Sequence, residues 1–445
     1  MRRRSPLRFA ILVCILLSSV GADADDLRLD RENMRNILNI VAKDIEKNYH
    51  DATLGGLDWK ALTEEARKKI EDAKSVSAMV TAIFSLVDKL HDSHTVFLAP
   101  QRVARPRFGF EAKPFGDEIR IYSLNPKGAA AAAGLKIGDR IVQINGFSAE
   151  RNSFDLMMLY YRVLHPVLRL QVVYARGDSP PQTVLLDAKV KQGTMVEDLT
   201  NDLNLWRLIA EADETTTYFT NAFDGGIAYM QVPTFSGGHL PMPHRFDSAK
   251  AVIIDLRGNL GGNTDVLAEL TGHFEAQPGT MADIVTRKKT DSIKFKPQKP
   301  NFAAPMFILV DSESASAAEM FARHFQRGRR ATIIGDRTSG RVNAAQFFPE
   351  HIGTDRIIPF GLEISVGRVV FPDGEQLEKR GVTPDVQCVP TAEQLSNGHD
   401  PCLAMALTLA RKAAGLPEDL PDSTRKDLAA LVASMNRERE SGWKD

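Results

Sequence analysis

The stretch ESASAAEMFARHF, residues 313–325, follows the apolar run PMFILV and contains serines whose position could support nucleophilic chemistry. It predicts a strand, a sharp turn and a helix, an arrangement that exposes a serine hydroxyl above a sheet edge. Ser316 is the candidate nucleophile, with Ser314 as a rival and Ser312 as a more distant one. The alternative is that Ser316 only caps the helix, which is the commoner role of a serine at a helix start.

A second stretch, AVIIDLRGNLGGNTDVL at 251–267, predicts a buried strand, a glycine turn and another helix. Backbone N–H groups at such a turn can stabilise the negative charge that develops on a substrate oxygen. We therefore expect amides near Gly261 and Gly262, together with the amide of Ala317, to form an oxyanion hole. A purely structural glycine turn would give the same pattern.

The third stretch is HDSHT, residues 91–95, at the end of a segment with helical periodicity. His94 could serve as a general base because the unperturbed pKa of imidazole is about 6.5. A hydroxyl such as that of Ser93 could fix the ring tautomer. The alternative is a surface or hydrogen-bonded structural histidine, and the neighbouring Asp92 does not decide between the two.

The surrounding chain predicts the elements that must position these residues. Residues 25–98 repeat apolar side chains at spacings of three and four, which predicts a helical lead-in. Residues 101–190 alternate apolar and polar side chains between glycine turns, as short strands do. From 191 to 414, strand-like and helix-like runs alternate, and residues 415–445 predict a helical tail. The expected fold class is therefore α/β and multi-domain.

Residues 1–24 predict a cleavable export signal, with a basic head, an apolar stretch from Phe9 to Val20 and a cleavage site near Ala24. The apolar stretch is too short to span a bilayer, so we expect no stable membrane insertion. Without this segment the net charge is about −4, and nothing indicates a nucleic-acid partner. Cys388 and Cys402 could pair in an oxidising compartment or remain buried thiols.

The region 101–190 resembles a PDZ domain. The resemblance is carried by GLKIGDRIVQING, residues 134–146, and by the upstream RFGF. It implies a PDZ-like β-barrel in which Phe108, Gly109 and Phe110 offer backbone N–H groups to the terminal carboxylate of a peptide that adds as a strand. A barrel with a purely structural glycine turn is the alternative.

The ordered motifs resemble those of the tail-specific, or carboxy-terminal processing, serine peptidases. DLRGNLGG, SASAAE and GVTPD stand where the family has DLRxNxGG, SASAxE and GVxPD. The resemblance implies a helical lead-in, a PDZ domain and an α/β catalytic domain of the crotonase or ClpP type, with Ser316 as the nucleophile. Arg341 stands where the commoner type has a catalytic lysine, and a guanidinium stays protonated, so it cannot be the base. Arg341 could instead hold a carboxylate or phosphate-like group, or pack structurally.

A second branch of the family lacks this lysine and is similar to the tricorn core protease and to the repeats of interphotoreceptor retinoid-binding protein. In tricorn-like sites a histidine preceded by a serine is the base, and a glutamate completes the relay. The resemblance therefore implies Ser93, His94 and Glu378 as the matching residues, with Glu375 as the alternative carboxylate. Ala317 departs from the acidic residue that follows the tricorn serine.

The sequence thus predicts an exported, periplasmic serine endopeptidase that acts on polypeptides, including by their C-termini. We recognise no cofactor motif, metal-ligand cluster or phosphate loop, so the expected cofactor is none. Two other functions stay open: an inactive peptide- or ligand-binding protein on the same scaffold, motivated by Arg341, and hydrolysis of a non-peptide ester by the same serine. No pattern defines the substrate or the oligomeric state.

Overall fold

The computed structural model describes residues 24–100, 104–192, 219–236, 242, 246–354 and 357–443. The predicted export signal lies outside these residues apart from Ala24, and it stays a prediction. Within the described residues, no helix combines the length and the apolar character needed to cross a lipid bilayer.

The lead-in folds as helices because its apolar residues recur on one face: Ile37, Val41 and Ile45 are four residues apart and fully buried. Ser75 begins the third helix by accepting a hydrogen bond from the amide of Ala78. The elements are α1 (Ala24–Asn48), a 3₁₀ turn (Leu54–Gly56), α2 (Trp59–Asp72), α3 (Val76–Asp88) and β1 (Val96–Leu98).

The PDZ region is a sheet in the order β3-β4-β5-β7-β8, with β6 on β5 and a separate β2–β9 pair. Its core includes the buried rings of Phe108 and Phe110. Strand β3 lies at the sheet edge, where a further strand could add. The elements are β2 (Ala104–Arg107), β3 (Phe110–Phe115), β4 (Glu118–Leu124), α4 (Ala129–Ala132), β5 (Arg140–Ile144), β6 (Phe147–Ser148), α5 (Phe154–Leu159) with a π turn (Tyr160–Leu164), β7 (Arg169–Ala175), β8 (Gln182–Asp187) and β9 (Lys189–Gln192).

The remaining residues build an α/β domain whose central strands are apolar on both faces, as parallel strands covered by helices are. Its elements are β10 (Thr220–Phe223), β11 (Ile227–Gln231), β12 (Ala251–Asp255), α6 (Thr264–Gly272), β13 (Gly279–Thr286), β14 (Thr290–Phe295), β15 (Met306–Val310), α7 (Ala317–Arg327), β16 (Ala331–Gly335), β17 (Ala344–Ile352), β18 (Ile358–Val370), β19 (Val386–Gln387), α8 (Ala392–Ser396), α9 (Pro401–Ala413) and α10 (Asp422–Ser441). The central sheet has the order β10-β11-β12-β15-β16-β19 and is parallel from β11 onward. The predicted α/β multi-domain class is confirmed, while the domain boundaries stay predictions.

Two cores cover the central sheet. Helices α6 and α7 pack on one face, and α9 and α10 pack on the other, where Cys388 and Cys402 form a disulfide. A second sheet has the order β1-β18-β13-β14, with β17 on β18. Because β1 pairs with β18, the lead-in helices share a core with this sheet and are not a separate unit.

Candidate active site

Three loops leave the carboxyl ends of adjacent parallel strands: residues 256–262 after β12, 311–316 after β15 and 336–343 after β16. The carboxyl ends of parallel strands lie at the same edge of a sheet. All three loops therefore meet at one place, and each carries a residue that the sequence singled out for the site: Gly261 and Gly262, Ser316, and Arg341.

Ser316 lies directly before α7 with a positive φ of 54° and ψ of −117°, outside the helical and extended regions of backbone conformation. An ordinary helix cap has an extended backbone, whereas a non-glycine residue at positive φ is strained and needs outside support. That support comes from two acceptors of the Ser316 N–H: the carbonyl of Arg341 at 2.7 Å and the carboxylate of Glu319 at 3.2 Å. Ser316 and Glu319 also form a capping box at the start of α7, so the capping alternative is observed, but a cap alone does not explain the positive φ of Ser316.

Glu319 is a buried carboxylate that organises this turn. Besides the Ser316 N–H it accepts the N–H of Gly340 at 2.8 Å, the N–H of Arg341 at 2.9 Å and the hydroxyl of Thr338. Burial raises the pKa of Glu319 to about 7, against the effect of these hydrogen bonds. One side chain thus fixes the serine turn to the loop that follows β16.

The glycine segment packs directly on Ser316, because a Cβ atom on Gly261 would lie 2.6 Å from the Cβ of Ser316. The N–H of Gly261 donates to the side-chain oxygen of Asn259 at 2.7 Å, so that amide is not free for an oxyanion. This contact disfavours Gly261 as an oxyanion donor. Among the described residues, the amides of Gly262 and Ala317 donate to no acceptor, and they stay candidates for the oxyanion hole.

The rival serines are held in other contacts. The Ser314 hydroxyl is fully buried and donates to the carbonyl of Leu256 at 2.8 Å. The Ser312 hydroxyl donates to the carbonyl of Pro114 in the PDZ region at 2.6 Å. Both hydroxyls are therefore structural, and Ser316 is the serine to consider as a nucleophile.

The histidine of the lead-in is positioned by β1, which begins two residues after it and pairs with β18. The Ser93 hydroxyl lies 2.8 Å from Nδ1 of His94, and this contact can fix the tautomer. Burial lowers the pKa of His94 below its usual value; the charges of Glu378 and Asp92 oppose this shift, and that of Arg341 adds to it. The ring is thus kept neutral at neutral pH, as a proton acceptor must be.

The two carboxylates that the sequence could not rank lie in different places. Glu378 accepts the Ser93 N–H at 3.4 Å and the N–H groups of Val342 and Asn343 at 3.0 and 3.2 Å. Glu375 instead contacts Arg323 at 2.5 Å on the outer side of α7. Glu378 is therefore the carboxylate near His94, and it contacts the Ser93 backbone.

Asp92 accepts several hydrogen bonds around His94, a role that was not predicted from the sequence. It accepts the His94 N–H at 3.1 Å and the Asn343 amide at 2.9 Å, as well as the hydroxyls of Thr95 and Ser365. Burial would raise its pKa, but the hydrogen bonds outweigh burial and lower it, so Asp92 stays ionised. The signal in the sequence was only its place beside His94.

Arg341 contributes to the site mainly through its backbone, which contacts both Ser316 and Glu319. Its side chain is about half exposed, and its guanidinium lies 3.1 Å from the carboxylate of Asp155 in the PDZ region. Of the roles that the sequence left open for Arg341, the structure thus shows contact with a carboxylate, and this carboxylate is Asp155 of the same chain.

The predicted peptide groove lies along β3. Gly109 has φ of 82° and packs on Gly128, where a Cβ atom would come within 3.1 Å of the Gly128 Cα. Phe108 and Phe110 are buried on either side of it. Within the described residues the N–H groups of Phe108 and Gly109 form no backbone hydrogen bond, as a carboxylate-binding loop requires.

Comparison with known sequences shows two profile matches. The profile described as Peptidase family S41 matches residues 226–388, and that of the PDZ domain matches residues 99–157. The chain is 23% identical over 351 residues to "Carboxyl-terminal-processing peptidase 1, chloroplastic" of Arabidopsis thaliana, covering 74% of this chain and 66% of that protein. It is 22% identical over 349 residues to "Carboxy-terminal processing protease CtpB" of Bacillus subtilis, with the same coverage. The chain thus spans about two thirds of the length of these relatives.

Among solved structures, the fold is similar to that of mature CPAF, with a TM-score of 0.62. The two chains are 14% identical, and the match covers 87% of this chain and 98% of the other, so the likeness concerns the fold alone. The profile matches thus identify a Peptidase family S41 domain over residues 226–388 and a PDZ domain over residues 99–157, and the relatives that the chain resembles are carboxy-terminal processing proteases.

Proposed function

We propose that the protein is an exported serine endopeptidase that hydrolyses peptide bonds in polypeptides held by its PDZ domain. The observation that carries the proposal is the strained backbone of Ser316, which Glu319 and Arg341 hold against the glycine segment. Such strain persists only where surrounding contacts fix it, and it concentrates at functional sites.

In this proposal the Ser316 Oγ attacks the carbonyl carbon of the scissile peptide bond, while Nε2 of His94 takes the hydroxyl proton. With the Nδ1 proton donated to Ser93, Nε2 is the nitrogen free to accept. The amides of Gly262 and Ala317 stabilise the tetrahedral oxyanion. His94 then protonates the leaving amine, and water repeats the sequence of steps to release the acyl group from Ser316.

The base in this mechanism comes from the lead-in and not from the arginine at the family lysine position, as in the branch that lacks the lysine. Two contacts support this assignment. Asp92 joins the segment that carries His94 to Asn343, and Arg341, two residues before, accepts the Ser316 N–H through its carbonyl. Glu378 supplies negative charge that favours the imidazolium formed during proton transfer.

The PDZ domain is proposed to hold the C-terminal part of an unstructured polypeptide as an added strand on β3. Export to the periplasm is proposed on the predicted signal segment and on the disulfide between Cys388 and Cys402, since disulfides persist in oxidising compartments.

The test is incubation of purified protein with an unfolded model polypeptide that carries either a free C-terminal carboxylate or a C-terminal amide. We expect new termini in mass spectra with wild type and none with Ser316→Ala, and faster cleavage of the free carboxylate form. Binding of the polypeptide to folded wild type without any cleavage would contradict the peptidase proposal and favour the inactive peptide-binding protein.

A further inference from the structure

The side chain of Lys113, on strand β3 of the PDZ domain, contacts the turn that precedes Ser316. Its Nζ atom lies 2.6 Å from a carboxylate oxygen of Asp311 and 2.5 Å from one of Glu313. Its side chain is only 12% exposed, and the ring of Tyr122 lies 4.9 Å from the ammonium group. Removing a lysine and its two carboxylate partners from water costs desolvation free energy, which their mutual attraction only partly offsets. Such a cluster between two domains therefore calls for a functional explanation.

Asp311 joins two of the three loops of the candidate site. Its second oxygen accepts the N–H of Gly258, in the loop that ends at Gly262, at 3.0 Å. The same oxygen accepts the N–H groups of Glu313 and Ser314, each at 3.1 Å. This carboxylate therefore fixes the serine turn relative to the glycine segment, which sets where the Ser316 hydroxyl lies against the oxyanion amides.

The turn depends on the lysine charge. Burial would raise the pKa of Asp311, but Lys113, the N–H of Gly258 and Arg257 together outweigh burial and lower it, so Asp311 stays ionised as its N–H donors require. Arg257 is the other cation near Asp311, and it is engaged with Asp255 and Asp400. Without Lys113, the carboxylates of Asp311 and Glu313, which are 14% and 31% exposed, would face each other with no cation between them.

We propose that Lys113 is a positioning residue of the peptidase site: by neutralising Asp311 and Glu313 from the PDZ domain, it holds the Ser316 turn against the glycine segment. Lys113 acts through Asp311 and touches no reacting atom. The inference rests on the proposed function, since it assigns a role in the reactivity of Ser316. The docked PDZ domain is then a structural part of the nucleophile site, independent of the peptide that it binds.

The test compares Lys113→Met with Lys127→Met, a change of an exposed lysine in the same domain. A small fluorophosphonate probe, which needs no PDZ groove, reports the reactivity of Ser316. We expect Lys113→Met to label roughly 10- to 100-fold more slowly than Lys127→Met, because small misplacements of reacting groups have effects of that size. The double variant Lys113→Met/Glu313→Gln, which removes one of the two facing charges, should recover part of the rate.

Equal labelling of folded Lys113→Met and Lys127→Met would overturn the proposal. Absence of recovery in the double variant would also overturn it, because loss of PDZ docking rather than charge would then explain the slower rate. Amide hydrogen exchange at Glu313 and Ser314 separates this inference from the proposed function: faster exchange in Lys113→Met supports the positioning role even if wild type does not label. Unchanged exchange contradicts it.

Discussion

The serine side and the histidine side of the candidate site are built in different ways. On the serine side, Ser316 and Glu319 belong to one strand–turn–helix unit, and the loops that support them follow adjacent strands of the same sheet. On the histidine side, Ser93 meets Glu378 across 285 residues and Asp92 meets Ser365 across 273.

The difference teaches that Ser316 and His94, the proposed nucleophile and base, have largely different structural supports, which meet at the loop after β16. The serine turn is fixed by the central sheet and by Glu319. His94 depends on β1, on its pairing with β18, and on the core that the lead-in helices share with that strand. Changes in the lead-in should therefore affect proton transfer and leave the serine turn intact, whereas changes around Glu319 should do the reverse.

Among changes outside Ser316 and His94, the largest effect should come from Glu319→Gln. The amide nitrogen would have to face N–H or O–H donors that now point at a carboxylate oxygen, leaving buried donors unpaired. We expect hydrolysis to fall about 100-fold through displacement of Ser316. The measurement is kcat with an unfolded polypeptide, and Glu393→Gln on the exposed surface is the matched control. Activity above half of wild type would break the account of the serine side.

A smaller effect is expected for Glu378→Gln, which removes the charge beside the imidazole and turns an amide nitrogen towards an N–H group that the carboxylate now accepts. We expect kcat to fall about 10-fold, since loss of one nearby charge removes roughly 1.4 kcal/mol of imidazolium stabilisation. Glu375→Gln, on the outer side of α7, is the control and should leave kcat unchanged. If Glu375→Gln lowers kcat and Glu378→Gln leaves it unchanged, the assignment of Glu378 is wrong.

The pH dependence of probe labelling should follow His94. Because burial lowers the pKa of His94, the base is neutral at pH 7, and labelling should fall on acidification with a midpoint below the usual value of about 6.5. Glu378 favours the charged ring and Arg341 disfavours it, so Glu378→Gln should move the midpoint to lower pH and Arg341→Met to higher pH. Shifts in the same direction in both variants would contradict this electrostatic picture.

The smallest effect on activity should come from the disulfide, which lies on the opposite face of the central sheet from α7. The bond closes a loop between residues 14 apart, so Cys388→Ser/Cys402→Ser should lower the free energy of unfolding by about 3 kcal/mol. Activity at moderate temperature should be unchanged. Denaturant unfolding paired with a kcat measurement tests this. A large loss of kcat would mean that reduced stability, without any change at the site, lowers activity, and the losses in the other variants would then need no catalytic explanation.

The sequence predicted the parts of this arrangement that are local. The strand–turn–helix around Ser316, the glycine turn and the PDZ region each depend on residues close together in the chain, where periodicity and motif spacing are informative. The α/β class follows from alternation of strand-like and helix-like runs. These predictions needed no knowledge of which distant segments meet.

Contacts between distant segments could not be predicted in this way. Nothing in the spacing showed that Asp92 would receive Asn343 and Ser365, or that Lys113 would enter the serine turn. Glycine spacing also does not reveal that the Gly261 N–H donates to the Asn259 side chain, a contact that disfavours Gly261 as an oxyanion donor. The ranking of Glu378 above Glu375 likewise needed the fold.

The central claim is that His94 activates Ser316, and fluorophosphonate labelling of the purified protein tests it most directly. The comparison uses wild type, Ser316→Ala, His94→Ala and, as a control, His351→Ala at an exposed position. The account predicts labelling of wild type and His351→Ala, none of Ser316→Ala, and a rate for His94→Ala reduced by roughly 100-fold or more. Labelling of folded His94→Ala at the wild-type rate would contradict the account and place the base elsewhere.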